Sequence, residues 1–218
     1  MPTERRFVAV IFDMDGVLLD TETIADEAWR FAARTLDMPG LLENTELLLG
    51  CSSRDIHAAV VAQCKSEASA AVFFQRANDY FREKEMKVGI ALKPGVPEVL
   101  VFLRENDYRI ALASSTDGVT VRRQLTAAGL IDFFETITTG DMVAHSKPDP
   151  AIYRKACASL ALAPAACLAV EDSPNGITSA HRAGMSCVMV PDRVPPSAAI
   201  EPLVWKICTS LRELPAIL

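Results

Sequence analysis

The feature that most constrains this chain is an alternation of two periods. Short, nearly continuous apolar runs occur at Phe7–Phe12, Arg109–Ala113, Thr136–Thr138, Cys167–Val170 and Cys187–Val190, and most are separated by segments of helical period. Those segments are Gly95–Glu105, Gly118–Ala128, Pro150–Leu160 and Pro174–Ala183, with Gly129 and Gly184 placed to close two of them. Strand and helix in alternation predict a parallel sheet covered on both faces, so the fold class is α/β, a Rossmann-like doubly wound parallel sheet. The tail, Val204–Ile207 then Ser210–Leu214, reads as a last short strand and helix.

One gap breaks the rhythm. Between the first and second strands lie about ninety residues without a clear strand, too many for a structureless loop in a compact domain. The segment is helical by pattern, with Ile24, Ala28, Trp29, Phe31, Ala32 and Leu36 on one side, then Ile56, Ala59 and Val60, then Val72, Phe73, Ala77, Tyr80 and Phe81. Thr21–Val88 is therefore expected to be an all-helical insert with its own small core. The implied division is an α/β core domain of residues 1–19 and 90–218 and an inserted helical domain of residues 20–89.

Composition excludes several classes. The chain has 218 residues, half of them hydrophobic, and a net charge of −6. That gives no broad basic face for a nucleic acid. No apolar segment reaches the ~18 residues of a membrane span, so a soluble, cytoplasmic, monomeric protein is expected. Cys51, Cys64, Cys157, Cys167, Cys187 and Cys208 lack CxxC pairing and read as reduced, mostly buried thiols. His57, His145 and His181 stand near no ligand cluster that would hold zinc.

In an open α/β sheet, ligands bind beyond the carboxyl ends of the strands, so the residues just past each strand carry the most information. After the first, in "VAVIFDMDGVLLDTE", come Asp13 and Asp15; after the second, "ALASST" ends in Ser114, Ser115 and Thr116. Past the third comes Lys147, in "GDMVAHSKPDP", and past the fourth come Glu171 and Asp172, in "LAVEDSPNG". Taken singly, each has an ordinary explanation as a turn, a helix cap or a solvated lysine. Taken together, they bring two acidic pairs, a hydroxyl cluster and a lysine to one edge of one sheet.

That set suits phosphoryl transfer through a carboxylate. Asp13, Asp15 and Asp172 make a hard oxygen cluster suited to Mg²⁺, whose charge would offset their repulsion. An ionised Asp can attack phosphorus, and a second carboxyl can protonate the leaving oxygen and then take a proton from water. Donors near Ser114, with Lys147, would hold the transferring oxygens. Strand alternation turns Met14 away, which accounts for the spacing of two between Asp13 and Asp15.

The ordered fragments "FDMDGVLLD", "ALASST", "SKPDP" and "VEDSPNGI" resemble the motifs of the haloacid dehalogenase-like hydrolase superfamily, over nearly the whole chain. The insert resembles the helical cap of its β-phosphoglucomutase and phosphoglycolate phosphatase subgroup. The resemblance implies that Asp13 is the nucleophile and Asp15 the acid/base, that Ser114, Ser115 and Lys147 bind phosphate, and that Asp13, Asp15 (by its carbonyl), Glu171 and Asp172 surround Mg²⁺. It implies a cap that turns on linkers near Val17–Asp20 and Gly89–Lys93. It also makes Thr21, Arg54 and Lys84 candidates for contact with a small phosphorylated metabolite.

Asp15 favours a phosphatase or phosphomutase over a dehalogenase. Ala25 stands where the phosphomutases resembled here have a cap histidine, which favours net hydrolysis over β-phosphoglucomutase-type transfer. Two other classes fit less well. A receiver-type signalling domain also surrounds a phospho-accepting Asp with acid, hydroxyl and lysine, but it is shorter and has no such insert. A calcium loop over Asp13–Ile24 would need Gly and Glu where this chain has Leu18 and Ile24.

Overall fold

Ala9–Phe12 forms β1, and all four residues are buried. Among the described residues, α1 (Thr21–Thr35), α2 (Pro39–Glu43), α3 (Ser53–Cys64), α4 (Glu67–Val88) and α5 (Val96–Glu105) follow before β2 (Arg109–Ala113). The rest alternates: α6 (Gly118–Ala127), β3 (Thr136–Thr138), α7 (Ala151–Ser159), β4 (Cys167–Glu171), α8 (Pro174–Ala183), β5 (Ser186–Met189) and β6 (Lys206–Ile207). This computed structural model describes residues 6–43 and 53–218, except for the side chains of residues 42–43 and 53–55. The chain divides into two compact units, Met1–Leu19 with Leu92–Leu218, and Asp20–Ala91.

In the first unit the strands are parallel, in the order β3-β2-β1-β4-β5-β6. Because each strand repeats with a period of two, the two faces of the sheet are built from different residues. Ala9, Ile11, Ala111, Ala113 and Ala169 meet Ile152, Tyr153 and Ala156 of α7 and Ile177 and Ala180 of α8 in one apolar cluster. The small strand residues leave room for Tyr153, which is fully buried. The alternate residues Val10, Phe12, Leu112, Leu168 and Val170 are buried as well. Right-handed crossovers put α5 and α6 on their side of the sheet, where α5 buries Val96, Val99, Leu100 and Leu103.

Local signals set the helix ends. The Asp117 carboxylate accepts from the amides of Val119 and Thr120 at 3.1 and 3.0 Å, and the Ser173 hydroxyl accepts from Gly176 N at 3.1 Å. Gly184 closes α8 in the left-handed region, at φ 89°. The expected last helix is instead a 3₁₀ segment, Leu211–Ala216. Pro215 lies inside it and can donate no main-chain bond.

The second unit is helical throughout its described residues. Ala28 and Ala32 of α1, Leu41 of α2, Val60 of α3 and Ala70, Phe73 and Ala77 of α4 form its core. Ser66 caps α4 by accepting from Ser69 N at 3.0 Å. Two residues expected on apolar stripes lie outside: Phe31 is 41% exposed and Val72 49%. Phe31 stacks on Tyr80 with ring centroids 4.7 Å apart, so it covers the seam between α1 and α4 from outside.

Phe73 is fully buried in that core. Phe73→Ala is expected to weaken the α1–α4 seam by about 3–5 kcal/mol. Hydrogen exchange read by mass spectrometry should show faster exchange in both helices; unchanged protection there would contradict this packing.

Candidate active site

The sheet order makes the site. The direction in which successive strands are added reverses at β1, which lies between β2 and β4, so the loops after β1 and β4 diverge and leave a crevice. Phe12 is in register with both Leu112 and Val170, and Asp13 N donates to Val170 O at 3.0 Å. One step further on, the side chains of Asp13 and Glu171 are brought close together.

Lys147 lies between them. Its Nζ donates to Asp13 Oδ1, to Glu171 Oε1 at 2.7 Å and to Ala113 O at 2.9 Å. These bonds use all three donors of an ammonium. Glu171, fully buried, also accepts from Tyr153 OH at 2.7 Å, from Asp172 N at 3.2 Å and from Ser173 Oγ at 3.3 Å. The Lys147 ammonium stands 5.1 Å from the Tyr153 ring centroid.

Asp15 is held differently. Its Oδ2 accepts from Thr116 Oγ1 at 2.9 Å and from Ser114 Oγ at 3.4 Å. Ser114 is buried, and its hydroxyl accepts from Thr116 N at 3.1 Å. Ser115 is exposed, and Met14, between the two aspartates, is fully buried. In the helical unit, Thr21 opens α1 and is buried. Lys84 donates to Glu27 Oε2 at 2.5 Å, which ties α4 to α1. Arg54 sits in α3 and its side chain lies outside the described residues.

Burial raises the Asp13 carboxyl strongly; Lys147 pulls it back, Glu171 and Asp15 raise it again, and it stands at about 8. Burial alone would lower Lys147, but Asp13 and Glu171 outweigh that, and its pKa rises. A carboxyl whose pKa stays raised even beside an ammonium marks a site short of positive charge. One oxygen each from Asp13, Glu171 and Asp172 lies within 4.8 Å of the others. The donors are all oxygen, which suits a hard divalent cation such as Mg²⁺. Gly16 keeps the space open: it has φ +77°, and a Cβ there would come within 2.4 Å of Asp172 Oδ2.

A profile of the family described as haloacid dehalogenase-like hydrolase matches residues 10–190. The chain belongs to the haloacid dehalogenase-like hydrolases. Beta-phosphoglucomutase of Bacillus subtilis is 34% identical to this hydrolase over 84% of this chain and 82% of its own. A phosphorylated carbohydrates phosphatase of Thermotoga maritima is 33% identical over 81% and 82%. Among solved structures, CbbY from Rhodobacter sphaeroides with xylulose-(1,5)bisphosphate superposes with a TM-score of 0.76, at 26% identity, covering 95% of this chain and 96% of that one.

Two contributors are harder to see in the hydrolase's sequence. Tyr153, in "AIYRKA", has the spacing of an ordinary core residue, and only the sheet brings its hydroxyl to Glu171. Thr116 stands in the hydroxyl cluster, but the sequence does not show that it, more closely than Ser115, would meet Asp15.

Gly176 sets two effects against each other. Alanine favours a helix over glycine by about 1 kcal/mol, but a Cβ at Gly176 would lie 1.9–2.0 Å from the Glu171 carboxyl atoms. Glu171 cannot move aside without breaking its bonds to Lys147 and Tyr153. Gly176→Ala is therefore expected to lose about 2 kcal/mol or more in urea unfolding; equal or greater stability would show that Glu171 is loosely held.

Proposed function

We propose that this hydrolase is a Mg²⁺-dependent phosphatase of small phosphomonoesters, sugar phosphates foremost, working through an aspartyl-phosphate on Asp13. The observation that carries this reading is the buried Asp13 carboxylate, fixed by Lys147 at the crevice of the sheet with Glu171 and Asp172 converging beside it. Support for the substrate class comes from the similarity to the phosphorylated carbohydrates phosphatase of Thermotoga maritima.

Asp13 and Asp172 would hold the ion directly, with the Asp15 carbonyl and Glu171 completing the acidic surround; when bound, Mg²⁺ supplies charge that favours ionised Asp13 and the transferring phosphoryl group. An Asp13 oxygen forms a bond to phosphorus as the ester P–O bond breaks. Asp15 gives its proton to the departing alkoxide. Water then attacks the same phosphorus, Asp15 takes its proton, and the acyl-phosphate P–O bond breaks to release inorganic phosphate and restore Asp13. Ser114 and the main chain at Ser115 hold phosphoryl oxygens. Lys147 has its donors already engaged, so it acts mainly as a fixed charge that can pass one bond from Asp13 to the substrate.

The Bacillus subtilis relative supports a second reading, phosphomutase. In that reading the aspartyl-phosphate passes to a second hydroxyl instead of water. Ala25, which can carry no proton, favours hydrolysis.

Asp13→Asn is expected to lower kcat by about 10³-fold or more with the fold intact. Substantial residual turnover in protein free of contaminating phosphatase would remove Asp13 as nucleophile. EDTA should abolish activity and added Mg²⁺ restore it; turnover that survives thorough chelation would exclude the metal role. A screen over phosphorylated sugars, phosphoglycolate and nucleotides, with β-glucose 1-phosphate plus its bisphosphate, should release phosphate. Isomerisation instead would establish the mutase.

A further inference from the structure

An acid just beyond β5, at the carboxyl edge of the sheet, has no part in the proposed reaction. Asp192 lies just beyond β5, in "VMVPDR", and its side chain is only 10% exposed. Its Oδ1 accepts from Lys93 Nζ at 2.7 Å. Its Oδ2 is buried and has no hydrogen-bond partner. A buried carboxylate oxygen without a partner costs free energy unless something supplies positive charge or a donor.

Gly16 locates the direction in which Oδ2 faces. The point that a Gly16 Cβ would occupy lies 3.4 Å from Asp192 Oδ2 and 2.4 Å from Asp172 Oδ2. The unpartnered oxygen and the Asp172 carboxylate thus both border the space beside Gly16, the carboxylate being the one that closes the acidic set. Asp192 is not among the three acids whose oxygens lie within 4.8 Å of one another. It stands at the margin of that set, where a cation that keeps part of its water shell presents O–H donors.

Lys93 explains how such an acid is kept in place. Its backbone N donates to Leu18 O at 2.9 Å, which fixes it beside the loop after β1. Its ammonium then neutralises one oxygen of Asp192 and leaves the other oriented. Two like-charged carboxylates packed on one glycine would otherwise drive the loop after β5 away.

The geometry points to Asp192 as a further carboxylate of the divalent-cation site, oriented by Lys93 and acting from its margin on the ion's water shell. This rests on the reading that Asp13 and Asp172 hold Mg²⁺, and goes beyond it in naming a residue that raises the affinity for the ion. Residues in this relation to a metal commonly change its affinity by about 10–100-fold.

The test is calorimetric titration of the substrate-free protein with Mg²⁺ alone, for wild type, Asp172→Asn and Asp192→Asn, with Tm measured in EDTA. Asn at position 192 can still accept from Lys93, so the substitution removes charge and spares the tether. Asp192→Asn is expected to raise the Mg²⁺ Kd about 10-fold or more, with Tm in EDTA unchanged or higher. A Kd within twofold of wild type overturns the inference, and a fall in Tm with unchanged Kd shows that Asp192 serves only as the partner of Lys93. If Asp192→Asn does not fold, Asp192→Ser, which removes the charge and keeps a small acceptor, takes its place; a Kd within twofold of wild type there overturns the inference equally. Wild-type protein that binds no Mg²⁺ would defeat the proposed function itself, whereas binding lost in Asp172→Asn but kept in Asp192→Asn would defeat the present inference alone.

Discussion

The ammonium of Lys147 is the group on which the catalytic edge depends. The parallel register of β1 and β4 leaves no choice about where Asp13 and Glu171 go: Phe12 lies beside Val170, and the next residues are acids. Two carboxylates in a buried crevice repel strongly and lose hydration, and burying them unpaired would cost several kcal/mol. Lys147 bonds to both and to the end of β2 through Ala113 O. One side chain from the segment after β3 therefore joins three neighbouring strand ends. Tyr153 adds a neutral donor to Glu171 from beneath, so Glu171 is satisfied by the protein while Asp13 keeps a strongly raised pKa. The asymmetry leaves Asp13 as the group that gains most from added positive charge.

The same crowding dictates where the chain has no side chain. Gly16 gives way to Asp172, and Gly176 to Glu171. In each case the space a Cβ would fill holds a carboxylate. The acidic edge thus requires two glycines, one of them inside a helix where alanine would otherwise be preferred.

Much of this is legible in the sequence, for a physical reason. Parallel strands buried on both faces need continuous apolar runs, so Arg109–Ala113 stands out with its observed limits and Cys167–Val170 falls one residue short of β4. Helix ends marked by Asp117, Ser173-Pro174 and Gly184 are local chemistry and can be read locally. The acids and hydroxyls of the site stand at or just past strand ends, and Lys147 in the segment after β3, so the sheet rule brings them together in advance. Tyr153 does not come after a strand, and its role depends on small residues in other strands that make room for it. The tail departs from its expected form because helical spacing alone does not separate an α-helix from a 3₁₀ segment. Asp192 comes three residues after β5, and sequence spacing cannot show that one of its oxygens is buried without a partner.

Asp13 and Asp15 are two residues apart, yet their surroundings suit them to opposite tasks. Asp13 is bound to a buried ammonium that is itself bound to a fully buried glutamate, so its position is set by charge. Asp15 accepts from the hydroxyls of Thr116 and Ser114. Bonds from neutral hydroxyls lack the ion-pair attraction of an ammonium and can exchange for water or substrate at less cost. A nucleophile gains from being fixed against the atom it attacks, whereas a proton carrier must bond first to a leaving oxygen and then to water. Between the two, Met14 in the bend after β1 is buried in the core. The bond from the Lys147 ammonium then supports the assignment of attack to Asp13.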